Sequence, residues 1–462
     1  MFPRLPLATG EACALPLDIR LISLSSLKLR LRVGRRHVSN LASYLLARVV
    51  AVLLHLAPLP LFINRQGAHA YGSLTLLLLM FSYLQIFDLG MGYAVNQRFA
   101  RALTRGVQRT TQIVRGAVPV FVGFSLVTCI VLVVSARPIS LFLTGSVAYV
   151  GSLRILSVAV AFLMCSALLT AVMQAFNRVD WINYSRLIID GARATGLAVG
   201  AFATDGVAIA VAFTVAGAVI KTMVDFGLAV HLMGAARSFL PRFRLREFTL
   251  NLRIGLPMVV SVAVSILITS VDRVVVARMF GQAALAQYSV AADLCSRAYF
   301  LVWAVTGSVY TVYLTRRAAR RPAEDLIRAS LLSVGLVDLF FYLPVALFAR
   351  QLIGWWIGPD FAGGSVGVTR IWAAAATAYL LMCVYQTHLQ GYGRSGALAL
   401  NGLIGIAVVC AGLVTLPRWF GMEGAAAAVL LGFSVQAAFL WILSRRLSLS
   451  HEKRIGAPGL TE

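Results

Sequence analysis

Acidic residues are scarce in this chain, with 17 Asp and Glu against 41 Lys and Arg. Charge of either sign is sparse, at 13% of residues, while 60% are apolar. That balance excludes an ordinary soluble domain, whose surface needs far more charge. Lysine is nearly missing, since Lys28, Lys221 and Lys453 are the three. The arginine-rich loops therefore reflect residue usage and do not by themselves mark phosphate clusters. Cysteine is also thin. Cys129, Cys165, Cys295, Cys383 and Cys410 fall in apolar runs and Cys13 near the start. None has a partner at metal-ligand spacing, so free thiols are expected, with neither a disulfide nor a metal site. Residues 1–38 lack the apolar core of a signal peptide. Leu21–Arg36 is basic and weakly amphipathic, suited to a leaflet surface, to a disordered tail or to an over-extended start site.

What the chain has in abundance is apolar runs. They fall near 41–63, 72–96, 112–135, 153–176, 187–203, 206–233, 251–272, 284–312, 327–349, 371–391, 396–416 and 421–444. About 20 helical residues cross the ~30 Å hydrocarbon core, so each run qualifies as a span. The turn at Thr204-Asp205-Gly206 between the fifth and sixth is very tight. The fold class expected is an all-α polytopic membrane protein with about a dozen spans.

The +24 net charge is placed by loop. Seven Lys and Arg precede the first span, and loops 97–115, 234–253 and 316–328 hold five each, while the others hold none to two. With an even number of spans this is a positive-inside pattern with both termini cytoplasmic. Nucleic acid is thereby excluded as the reason for the charge. Anionic headgroups at the cytoplasmic face are a secondary reading.

The sequence also repeats. Gln174-Ala-Phe-Asn-Arg178 returns as Gln390-Gly-Tyr-Gly-Arg394, 216 residues on. Gly67/Gly281, Tyr71/Tyr288, Asn183/Asn401 and Gly206/Gly424 hold nearly the same offset. The expected organisation is a basic tail (1–38), a six-helix bundle (39–235), a cytoplasmic linker (236–250), a like-oriented six-helix bundle (251–444) and a cytoplasmic tail (445–462). Two such bundles define a central cleft that rocking opens to either side, which points to a transporter. The longest outer loop, about 136–152, leaves no room for a catalytic domain, so no enzyme is expected. Gly354-Trp-Trp-Ile-Gly358 and Gly363-Gly364 do not match a phosphate loop. No cofactor is expected, and a gradient or the substrate's own chemical potential must drive movement.

Ionisable residues inside spans are costly and are candidates for function. Asp293 and Arg297 are four apart on the eighth span, with Arg297 ~20 Å from its outer start. Either they neutralise each other, or an anionic ligand displaces the acid from the arginine. Arg48, two turns into the first span and without a local acid, either snorkels to headgroups or forms an inward mouth for phosphate. Asp190 with Arg193, and Lys221 with Asp225, read as local pairs. Asp88, Asp338, His55 and His388 stand alone as proton-coupling candidates, the histidines more simply as packing residues. Asp272 and Arg273 end the seventh span at the outer face and, with Tyr288, suit an interfacial anchor. Pro58 and Pro60 break the first span and Gly255-Leu-Pro257 opens the seventh. Such interruptions at matching positions suggest moving or binding elements.

Tyr71-Gly72, Phe87-Asp88-Leu-Gly90-Met-Gly92 and Arg98-Phe-Ala-Arg101 resemble the second span of polysaccharide and O-antigen flippases. Ser270-Val-Asp272-Arg273, running on to Arg278-Met-Phe-Gly281 and Tyr288-Ser-Val-Ala-Ala292, resembles their seventh and eighth. With the Gln-x-x-x-Arg repeats, the resemblance covers about residues 40–444. The Wzx-like branch of the multidrug/oligosaccharidyl-lipid/polysaccharide superfamily moves undecaprenyl-pyrophosphate-linked oligosaccharides between leaflets of the bacterial inner membrane. The resemblance implies substrate binding by Arg48, Arg273 and Arg297, with Asp88, Asp272 and Asp293 as coupling or gating candidates. Implied partners are that lipid-linked oligosaccharide, membrane lipids, and polysaccharide polymerase and chain-length proteins. Tyr299, Trp303, Tyr310 and Tyr385 either stack on sugars or pack between helices. A drug/cation antiporter of the same superfamily, a glycan polymerase or glycosyltransferase, and a non-transporting scaffold are the alternatives. The first needs unpaired acids in the cleft and the second an outer catalytic loop.

Overall fold

The computed structural model describes residues 43–84, 91–103, 107–242, 245–302, 324–392 and 394–455. The basic tail 1–38, Asp88, Trp303 and Tyr310 lie outside the described residues. Every regular element among those described is helical. In the first half these are α1 (Ser43–Leu56), α2 (Leu59–Leu84), α3 (Met91–Leu103), α4 (Val107–Val134), α5 (Ala136–Thr144), α6 (Val150–Ala175), α7 (Val179–Gly200) and α8 (Gly206–Met233). After a 3-10 turn at Ala236–Phe239 come α9 (Leu245–Ser296) and α10 (Glu324–Val337), with a π turn at Asp338–Tyr342. Then follow α11 (Leu343–Leu347), α12 (Ala349–Trp356), α13 (Pro359–Gly391) and α14 (Ser395–Ile455).

Among the described residues six helices are long and apolar enough to cross a bilayer, and the bent pair α1–α2 makes a seventh. Three of the helices are not single rods. α2 turns at Gly67 (φ 87°), α9 at Gly281 (φ 84°) and α14 at Gly421 (φ 59°). A left-handed backbone is open to glycine and strained for other residues, so each of these positions folds one helix into two arms. Counted by arms, a dozen crossings is compatible with the described helices.

Gly67 and Gly281 are repeat landmarks, and they adopt the same φ. The Gln-x-x-x-Arg repeats match as closely. The amide of Arg178 donates to the Met173 carbonyl at 3.0 Å, and that of Arg394 donates to Leu389 at 3.0 Å. Both close a helix with the same five-residue reach, so the duplication is conformational as well as sequential.

Several expected boundaries shift. The seventh span begins at Leu245, inside the anticipated linker, and Pro257 lies within the helix and does not open it. It runs past Asp272 to the Gly281 turn. Val274–Ala277 continue the apolar run once the charges before them are paired, so Asp272 and Arg273 are not at its end. The final helix likewise runs to Ile455, into the expected tail. The first span does break near Pro58, its two arms meeting at 45°. Proline there removes an amide donor and crowds the preceding turn.

The Gly67/Gly281 end of the molecule is closed. Phe62, Tyr71 and Leu156 from the first half pack in one cluster with Ala286, Val290 and Ile353 from the second. Gly72 has no room for a Cβ, which would collide with the Gln282 carbonyl. Gln282 in turn donates to the Thr144 carbonyl at 2.8 Å. Toward the opposite end the first half keeps its own clusters, one around Val95 and Phe121 and another around Phe99 and Phe239.

Candidate functional site

A cavity of about 180 Å³ opens between the arms of α1, α2, α7, α8 and α9. Its polar lining comes from His55 on α1, Tyr71 and Thr75 on α2, Arg193 on α7, Thr214 on α8, Arg273 and Asp293 on α9, and Arg297 just past its end. Leucines 74, 78, 79 and 197 complete the wall. The Gly281 turn makes this assembly possible. It folds α9 back on itself, so Arg273 on one arm meets Asp293, twenty residues later, on the other.

Asp293 is doubly engaged. Arg273 Nη2 lies 2.6 Å from one carboxylate oxygen, and His55 Nε2 lies 3.3 Å from the other. The local Asp293–Arg297 pair read from the sequence is not formed. Only the Arg297 amide, as part of the helix, reaches Asp293, donating to its carbonyl at 3.1 Å. The Arg297 side chain has no hydrogen bond or ion pair among the described residues, and its buried Nε is unpartnered. Regular α-helix ends at Ser296, so Arg297 sits where the chain opens into a turn before resuming. That break points a cation into a polar cavity whose one carboxylate is already taken.

Arg193, read from the sequence as the local partner of Asp190, stays within electrostatic reach of that acid and also lines the cavity, within reach of Arg297. Arg186, one turn before Asp190, is in turn within reach of Arg193 and of Arg48. Arg48 stacks over Tyr44 at 5.3 Å and lies outside the cavity lining. Arg48, Arg186, Arg193 and Arg297 thus lie in successive electrostatic reach of one another, with Asp190 as the acid among them. The available signal was one acid flanked by Arg186 and Arg193, more base than local pairing can neutralise.

The remaining candidates lie elsewhere. Asp272 is fully buried, accepts from the Tyr288 hydroxyl at 2.6 Å and is not among the residues lining the cavity. The Tyr288 ring packs edge-on to Trp372 at 6.1 Å. Lys221 and Asp225 pair as expected, joined by Ser166, which accepts from Lys221 at 2.7 Å and donates to Asp225 at 2.6 Å. His388 is satisfied by Ser444 at 2.7 Å, a packing role, whereas His55 belongs to the cavity. Asp338 accepts from Thr377 at 2.7 Å. Tyr299 stacks on Tyr379 at 4.4 Å, so it serves helix packing.

With this geometry in view, the similarities to other proteins are consistent. The family described as polysaccharide biosynthesis protein matches residues 37–310. No curated protein sequence matches the chain. Among solved structures, an inward-facing MATE multidrug resistance transporter of the MOP superfamily superposes at a TM-score of 0.74 and 13% identity, over 89% of this chain and 99% of that one. Lipid II flippase MurJ, in an inward closed conformation, gives 0.70 and 15%, over 90% of each chain. An outward-facing MATE transporter gives 0.57 and 13%, over 87% of this chain and 96% of that one. At such identities the likeness is one of fold. The family match covers more than half of the sequence, and the chain is a multi-pass membrane protein belonging to the polysaccharide biosynthesis protein family.

Proposed function

We propose that the protein is a flippase for undecaprenyl-pyrophosphate-linked oligosaccharide repeat units in the bacterial inner membrane, serving surface polysaccharide (O-antigen, capsule or exopolysaccharide) synthesis by alternating access. The observation that carries this reading is the uncommitted Arg297 guanidinium in a cavity whose single carboxylate is held by Arg273 and His55. A guanidinium takes a phosphate through two parallel charge-assisted hydrogen bonds. The line from Arg48 through Arg186 and Arg193 offers such an anion successive contacts toward Arg297. A cavity of this size admits a compact anionic group, and sugars require the two halves to part further. The closed Gly67/Gly281 end and the better fit to an inward-facing relative support a cycle that starts open to the cytoplasm, with both termini on that side. One protein of similar fold is described as a lipid II flippase, which supports reading a lipid-linked cargo here. Asp293 is the switch candidate in this scheme, because an arriving diphosphate competes with it for Arg273. Asp272, outside the cavity lining, and Asp88, outside the described residues, are kept as coupling candidates.

A drug/cation antiporter needs an acid free to bind the cation, and the acid lining this cavity has two basic partners. The decisive experiment deletes the gene and locates the lipid-linked repeat unit. Accumulation on the cytoplasmic leaflet with loss of surface polysaccharide supports the flippase. Accumulation of single units on the periplasmic leaflet indicates a polymerase, and unchanged lipid-linked glycans indicate the antiporter. Arg297→Ala should then lower export roughly ten- to hundred-fold, the worth of a charge-assisted hydrogen bond, at unchanged protein level. Full export by that variant removes Arg297 from the mechanism.

A further inference from the structure

A second pocket, of about 350 Å³, lies on the outer surface of the first half, remote from the cavity residues. Val118 and Val122 of α4 form one wall and Met223 and Phe226 of α8 the other, with Leu168 of α6 between them. Met223 is 64% exposed and Val122 41%, and the same faces carry exposed Leu126, Ile130 and Ile220. This is a lipid-facing groove, apolar along its length.

One end of the groove is different. Phe239 stops it, packed edge-on against Phe226 at 5.5 Å. Phe239 belongs to the 3-10 turn that a local network clamps onto α4. Arg115 Nε and Nη2 donate to the Arg237 carbonyl at 3.1 and 2.8 Å, and the Arg242 amide donates to the Arg115 carbonyl at 3.0 Å. The clamp fixes the backbone beside the groove and leaves the Arg237 and Arg242 side chains exposed, with no ion pair or hydrogen bond among the described residues. An apolar trough closed by a rigid turn with two unpaired guanidinium groups matches an amphiphile with an anionic head.

We propose that this groove is a binding site for an anionic phospholipid, one acyl chain lying between α4 and α8 and the headgroup phosphate held by Arg237 and Arg242. Charge complementarity selects this occupant over a neutral lipid, and the apolar lining, broken by little besides Thr222 and Cys165, excludes a sugar. Being built from the first half alone, the site lets a bound lipid brace α4, α6 and α8 without spanning the cleft.

The test uses the full chain, purified, delipidated in neutral detergent and titrated with phosphatidylglycerol or phosphatidylcholine, bound lipid being read by native mass spectrometry. Wild type should retain phosphatidylglycerol in preference to phosphatidylcholine. Met223→Trp, or Val122→Trp from the opposite wall, should abolish that retention, so a folding defect in one variant does not decide the matter. Arg237→Gln with Arg242→Gln should weaken phosphatidylglycerol retention roughly ten-fold or more and leave phosphatidylcholine unchanged. Equal retention of the two lipids by wild type overturns the proposal. So does undiminished binding by both tryptophan variants, or displacement of phosphatidylglycerol by equimolar undecaprenyl phosphate, which would assign the groove to the carrier lipid.

Discussion

Lys221 with Asp225 and Arg273 with Asp293 are both buried ion pairs within the membrane helices, and they differ in what surrounds them. The first is local. Its members sit one turn apart on α8, and Ser166 bridges them from α6. Asp225 is wholly buried, and neither member of the pair lines the polar cavity or the apolar groove. The second joins two arms of a folded helix, borrows His55 from α1, and faces a cavity that contains a further, uncommitted arginine. A sealed pair has nothing to exchange with. A pair beside an empty polar space and a spare cation has partners to trade, as binding that moves a charge requires.

Breaking the sealed pair should have the largest effect on stability. Lys221→Ala leaves Asp225 buried and uncompensated, at a cost of about 3–5 kcal/mol. The check is the thermal unfolding midpoint of detergent-purified protein. Replacing both residues by leucine should recover most of the loss, since a buried pair is often no better than packed hydrocarbon. If Lys221→Ala unfolds like wild type, the pair is not sealed.

Arg273→Ala should cost less stability than Lys221→Ala, since Asp293 keeps His55 and gains access to Arg297 within the cavity. Export should nonetheless fall, because the freed carboxylate then quenches the arginine offered to the phosphate. Adding Asp293→Asn to Arg273→Ala should restore part of the export, measured as surface polysaccharide per unit of protein. No rescue would mean that Arg273 itself contacts the cargo.

Tyr288→Phe removes the hydrogen-bond donor to Asp272 and should destabilise by about 1–3 kcal/mol, read as a lower unfolding midpoint. Export per folded molecule should stay near wild type, since neither Tyr288 nor Asp272 lines the cavity. A specific loss of export would support a coupling role for Asp272.

The smallest effect belongs to Arg48→Ala. Its loss removes a stacking contact with Tyr44 worth about 0.5–1 kcal/mol at most, with little change in stability. In a vesicle flipping assay, the initial rate at low substrate should fall while the saturated rate holds. That pattern distinguishes an entry residue from a cavity residue, and an unchanged low-substrate rate would leave Arg48 as a headgroup anchor.

The sequence by itself determined the class of the molecule. Long apolar runs demand helices that satisfy their own backbone in a bilayer, and this needs no tertiary information. It also determined the repeat, down to Gly67 and Gly281, because a left-handed turn leaves its mark as glycine. It found the Lys221–Asp225 pair because helical spacing alone brings those side chains together. Tertiary structure decided the rest. Spacing favoured Asp293 with Arg297, yet a partner from across the Gly281 turn makes the direct contact and leaves the Arg297 side chain without a hydrogen bond to the acid. His55 read as a packing residue or a lone proton-coupling candidate and Arg193 as the partner of Asp190, and both also line the cavity because α1 and α7 converge with α9 on one space. Local periodicity is set by one helix's geometry. Which charge is left over is set by how several helices meet, and that residue of unpaired charge is where the proposed function lies.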